Sequence, residues 1–161
     1  MDDRFDPPQT PLLAEVAETL TTEGREAARR LAAERLRAAV EAARAGARAR
    51  LAAGEIDGLA AAREIAAGMD GVVRGALDVA LLLHPNPNPT EGERLSVAAV
   101  GGYGRAEMAP FSDVDLLFVR PWKQTAWGES LIETALYLLW DLKLKVGHAV
   151  RTPDECLRLA R

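Results

Sequence analysis

Two aspartates, Asp113 and Asp115, end the stretch VGGYGRAEMAPFSDVD at residues 100–115. In an extended chain, residues two apart project to one face, their Cα atoms about 6–7 Å from each other. Carboxylates that close repel unless a cation lies between them. Mg²⁺ takes carboxylate, water and phosphate oxygens. Two such ions about 3.5–4 Å apart suit this spacing and the chemistry of phosphoryl or nucleotidyl transfer. The competing reading is an exposed strand start with two solvated acids. Asp-x-Asp alone is common. The context favours metal: Gly101-Gly102 lie one strand earlier, and Leu116-Leu117-Phe118 continue an apolar strand.

Gly101, Gly102 and Gly104 let the backbone approach a ligand closely and take positive φ. Amides in such a turn cradle phosphate oxygens. Arg105 adds a planar cationic fork suited to phosphate. A tight turn with no ligand is the alternative, and three glycines with one arginine do not separate the two.

The elements that must position these residues are legible in outline. Thr10-Pro11 reads as an N-cap with proline at the first helical position, opening a short helix to about residue 21, with Gly24 as a break. Leu36, Val40, Ala43, Ala47 and Leu51 form a helical stripe over residues 25–53, stopped by Gly54. Leu59, Ile65, Met69, Val73, Leu77 and Ala80 form a second stripe. The two long helices predict an antiparallel hairpin. Pro85, Pro87 and Pro89 forbid a regular element, so HPNPNPTEG reads as an exposed linker. Strands are expected over residues 95–100, 113–119 and 145–150. A helix apolar on nearly every side, and therefore buried, is expected over 130–142. Pro153 opens a last helix that runs uncapped to Arg161.

The fold class is thus α+β. Residues 1–92 form a helical region, with the proline-rich linker at 85–92. Residues 93–161 form a small mixed sheet with flanking helices. The first region carries 15 acids and 11 bases, the second 9 of each, and the second holds all three Trp and both Tyr. Across 161 residues, 20 Lys+Arg against 24 Asp+Glu give a net charge of −4. That balance argues against a general nucleic-acid coat protein. A single cysteine, Cys156, excludes an internal disulfide and suits the reducing cytoplasm. No apolar run is long enough for a membrane span, and MDDRFDPPQT lacks a signal-peptide layout.

Gly-Gly at a strand end followed by Asp-x-Asp on the next strand resembles the nucleotidyltransferases of the DNA polymerase β superfamily. The longer string GGYGRAEMAPFSDVDLLF, with LLWDLKLKVGHAVRTPDEC at residues 138–156, is similar to a narrower family: the bacterial uridylyltransferase/uridylyl-removing enzymes that modify the PII nitrogen-signalling protein. The resemblance covers residues 97–157. It implies that Gly101 and Gly102 hold the triphosphate of UTP, assisted by Arg105 and Ser112. It implies that Asp113 and Asp115 bind Mg²⁺ or Mn²⁺ and are the catalytic pair. The implied reaction transfers UMP from UTP to a tyrosine hydroxyl of the PII protein and releases pyrophosphate.

Two departures from the family pattern stand beside it. Many superfamily members carry a third carboxylate on the following strand, whereas residues 145–150, KVGHAV, have none; Asp141 and Asp154 only flank them. The family's enzymes are also several times longer, so the chain is expected to be an N-terminal fragment or truncated form, poor in transfer on its own. The alternatives are a non-catalytic remnant that binds nucleotide or a partner protein, and a polymerase β-type enzyme with another acceptor, such as an aminoglycoside or a tRNA end.

Other residues are open to more than one reading. His148 contacts nucleotide, stands in for the missing acid, or is a hydrogen-bonded histidine at a strand edge. Arg151 either reaches phosphate or caps a helix. His84 is expected to be solvated beside the linker. Trp140 is expected in the core, Trp122 and Trp127 on a loop. Cys156 is expected to be a packed thiol. The eight arginines of residues 25–50 read as the solvated side of an amphipathic helix rather than a nucleic-acid face.

Overall fold

The computed structural model describes residues 10–86 and 88–160. Pro87, the middle proline of the expected linker, lies outside the described residues, as do the N-terminal stretch 1–9 and Arg161.

Helix α1 spans Pro11–Thr22. Thr10 caps it, its Oγ1 accepting from the Leu13 amide at 3.3 Å. Gly24, at φ +90°, turns the chain into α2, Arg25–Ala52. Gly54, at φ +71°, makes the next turn, a conformation that glycine adopts without the Cβ penalty. Helix α3 spans Gly58–Leu83, with the Asp57 carboxylate accepting from the Ala60 amide at 2.7 Å. Helices α2 and α3 form the expected antiparallel hairpin, since Arg50 pairs with Glu64 while Leu36 lies against Gly75. Small residues let the two backbones approach: a Cβ on Gly68 would collide with that of Ala43.

The expected linker is not irregular to its end. Thr90 and Glu93 form a capping box around a 3₁₀ turn at Glu91–Glu93. Strand β1, Ser96–Ala99, leads into a single helical turn, α4, Gly101–Gly104. Strand β2 is Val114–Val119, α5 is Ala126–Asp141, β3 is Val146–Arg151, and α6 is Pro153–Leu159. The sheet order is β1-β2-β3. The β1–β2 pair is antiparallel and the β2–β3 pair parallel, with α5 as the crossover. The protein is mixed α+β, as expected.

Val114, Leu116 and Phe118 are buried and meet a core that runs on through α3 and α5. Tyr103 and Met108, from the segment between β1 and β2, belong to that core as well. Many α2 arginines reach neighbours. Arg35 pairs with Glu15 on α1 at 2.7 Å, Arg29 lies 3.8 Å from Asp141, and Arg37 donates to the Asp141 carbonyl at 2.7 Å.

Several expectations need correction. Helix α5 is amphipathic rather than buried all round. Leu131, Ile132, Ala135, Leu136, Leu138 and Leu139 face inward, while Tyr137 and Trp140 are 53% and 42% exposed. Trp140 is therefore not core; it packs edge-on against Tyr137 and His148. Trp127 sits in the first turn of α5, and its indole donates to the His84 carbonyl at 2.8 Å. The last helix ends at Leu159, where the Ala160 amide closes onto the Cys156 carbonyl at 3.2 Å. Leu157 and Leu159 are exposed, and Cys156 is a free, half-buried thiol.

His84 is not merely solvated. Its Nε2 meets Arg25 Nη2 at 2.6 Å and Thr134 Oγ1 at 2.8 Å, joining α2, α3 and α5. Burial, with the Arg25 charge added, lowers its pKa below the ordinary histidine value. The neutral ring therefore contributes stability that is complete above an ordinary histidine pKa and lost as pH falls through the lower folded value. The melting temperature is expected to fall more between about pH 7.5 and about pH 5 in the wild type than in His84→Gln. Equal slopes would show that His84 does not carry this dependence.

Candidate metal and nucleotide site

The glycine turn and the Asp-x-Asp strand meet through the sheet. The Val100 amide donates to the Asp115 carbonyl at 3.0 Å, which brings the start of the turn beside the Asp115 side chain. Because Val114 and Leu116 point into the core, alternation sends Asp115 to the other side of the sheet. Asp113 precedes the first residue of β2 and is exposed; Asp115 is half-buried.

Glycines on both sides seat the Asp115 carboxylate. Gly101 has φ +62°, and a Cβ there would lie 2.7 Å from Asp115 Oδ2. Gly147 pairs with Asp115 across β2–β3, and its Cβ would collide with Oδ1. Gly104 is held for a different reason: a Cβ would lie 2.6 Å from the Ala99 carbonyl. Sequence reasoning missed Gly147, although a glycine inside a strand is the ordinary sign of close approach.

Arg105 is exposed, and its Nη1 donates to the Gly101 carbonyl at 2.9 Å, so the fork lies over the turn it follows. The Gly102 carbonyl accepts from the Arg105 amide at 3.2 Å and the Glu107 amide at 3.1 Å, closing the turn. Ser112, half-buried, enters the site through a short turn in which its amide donates to the Ala109 carbonyl at 3.0 Å. Gly101 and Asp115 are thus in contact, Gly102 and Arg105 adjoin them, and Ser112 and Asp113 lead directly into Asp115.

Among the described residues, no ion-pair partner holds Asp113 or Asp115. Two unpaired carboxylates beside a glycine turn fit a hard divalent cation that also takes phosphate and water. No cluster of three or more His, Cys, Asp or Glu completes a cage among the described residues. Asp141 lies at the end of α5 near Arg29, and Asp154 opens α6. His148 does not replace the missing acid: it pairs with Leu116 rather than Asp115, so it faces the opposite side of the sheet and packs on Trp140. A cleft of about 280 Å³ opens on that opposite side, between the 3₁₀ turn, the start of α5 and β3. It does not contain the carboxylates.

No described helix is long and apolar enough to cross a membrane. No protein-family model and no solved structure matches the chain. Curated relatives do. A bifunctional uridylyltransferase/uridylyl-removing enzyme of Bradyrhizobium diazoefficiens is 46% identical over the whole chain, which spans 17% of that enzyme. The enzyme of the same name from Phenylobacterium zucineum is 54% identical over 84% of the chain and 14% of its own length. That of Cereibacter sphaeroides is 65% identical over 62% of the chain and 11% of its own length.

Proposed function

We propose that this chain, which matches a region of the bifunctional uridylyltransferase/uridylyl-removing enzymes, carries the nucleotide- and metal-binding part of a uridylyltransferase. UTP is the donor, and a tyrosine hydroxyl of the PII signalling protein is the acceptor. The observation that carries this reading is the seating of Asp115 between Gly101 and Gly147, with no cation partner among the described residues.

Asp113 and Asp115 would hold Mg²⁺ or Mn²⁺ beside the triphosphate. Bound there, such a cation would supply charge neutralisation for the phosphoryl transfer. Gly101 and Gly102 let the backbone approach the β- and γ-phosphates, Arg105 offers its guanidinium, and Ser112 its hydroxyl. The tyrosine oxygen attacks the α-phosphorus, its proton leaves to solvent, and pyrophosphate departs. Positioning and electrostatics supply most of the acceleration in such transfers.

Only slow transfer of label from α-labelled UTP to the PII protein is expected of this chain on its own, and none from γ-labelled UTP. The two-carboxylate set favours a second reading, binding without turnover. Nucleotide binding with no label on the PII protein would establish that reading instead.

A further inference from the structure

Three of the four residues of α4 are glycines, with no side chain to fix the turn against the rest of the protein. Arg105, the next residue, donates back to the turn's own Gly101 carbonyl. Tyr103 is different. The residue is 5% exposed, and its hydroxyl donates to Asp70 Oδ1 on α3 at 2.7 Å. A second tie lies just beyond the turn, where the Met108 amide donates to the Ala62 carbonyl at 3.3 Å. Ala62 and Asp70 are eight residues apart on α3, a reach of about 12 Å along the helix. The turn is therefore clasped to the N-terminal hairpin at two points, only one of which uses a side chain of the turn itself.

We propose that Asp70 is a positioning residue: through the Tyr103 hydroxyl it fixes the glycine turn against Asp115, so that α3 sets the geometry of nucleotide binding. Asp70 itself touches neither phosphate nor cation. Burial raises the Tyr103 pKa and the Asp70 hydrogen bond raises it further, so the hydroxyl keeps its proton and remains a donor. The Arg74 charge, felt by the same hydroxyl, partly offsets that of Asp70. The proposal rests on the nucleotide reading above for its consequence, but not for its structural content.

The test uses Tyr103→Phe, which removes the hydroxyl and keeps the ring, with Asp70→Ala and Asp70→Asn. Asn retains an oxygen acceptor and is the conservative rescue. Amide hydrogen exchange in the ligand-free chain is expected to quicken over residues 101–107 in Tyr103→Phe and Asp70→Ala. It should stay at wild-type rates in β2, and Asp70→Asn should restore the turn. UTP affinity in Mg²⁺ is expected to drop about tenfold in the first two variants and to recover in Asp70→Asn. Unchanged exchange in the turn of Tyr103→Phe, or equal quickening through β2, would overturn the proposal. A wild-type chain that takes no UTP would sink the nucleotide reading, while the exchange comparison would still decide the anchor.

Discussion

Asp113→Asn and Asp115→Asn are each expected to abolish Mg²⁺-dependent UTP binding while leaving the melting temperature in EDTA unchanged or slightly raised. The two halves of this result come from one arrangement. Neither carboxylate has an ion-pair partner among the described residues, so neutralising it breaks no salt bridge. Removing one of two neighbouring like charges relieves repulsion. A structural ion pair behaves oppositely, because truncating one member strands the other. With metal present the sign reverses. Changing a group one step removed from a ligand costs about 10–100-fold, so loss of a ligand itself is expected to cost at least about a hundredfold. Thermal melts in EDTA and nucleotide titrations in Mg²⁺ separate the two effects. A clear loss of stability in EDTA would show that these acids hold the fold rather than a cation.

The second large effect is expected at the glycines that seat Asp115. Gly101→Ala and Gly147→Ala both push a Cβ into that carboxylate, one at Oδ2 and the other at Oδ1. They differ in the backbone. Gly101 has φ +62°, where a side chain costs about 1–2 kcal/mol, whereas Gly147 carries no positive φ. Gly101→Ala should therefore lower both stability and Mg²⁺-UTP affinity, and Gly147→Ala chiefly affinity. A Gly147→Ala chain that binds as the wild type would show that the carboxylate position is immaterial. Denaturant midpoints and calorimetric titrations of the same preparations read the two quantities independently.

What was legible in the sequence was mostly local. Thr10-Pro11, Gly24 and Gly54 mark helix ends because capping and positive φ are decided within a few residues. The three strands were placed to within a residue or two, since apolar runs bounded by glycine or turn residues are short-range signals. The glycine turn and the position of Asp115 on the second strand were legible for the same reason. Contacts across the chain were not. Tyr103 reaches Asp70 over 33 residues, and His84 reaches Thr134 over 50. No spacing rule links such pairs; only tertiary packing does. Trp140 was misplaced because hydrophobicity alone assigned it to the core. The helix has one inward face, already filled by Leu136 and Leu139, and the ring goes to the outer face beside His148. His148 was ambiguous until the β2–β3 register set it opposite Leu116.

Asp113 and Asp115 are expected to bind nucleotide only through a divalent cation. Calorimetric titration of the chain with UTP, once in Mg²⁺ and once in EDTA, tests it most directly. Saturable binding in Mg²⁺ that disappears in EDTA is the expected result, because two bare carboxylates repel a triphosphate. Equal binding in both buffers would show that no cation bridges the carboxylates and the triphosphate.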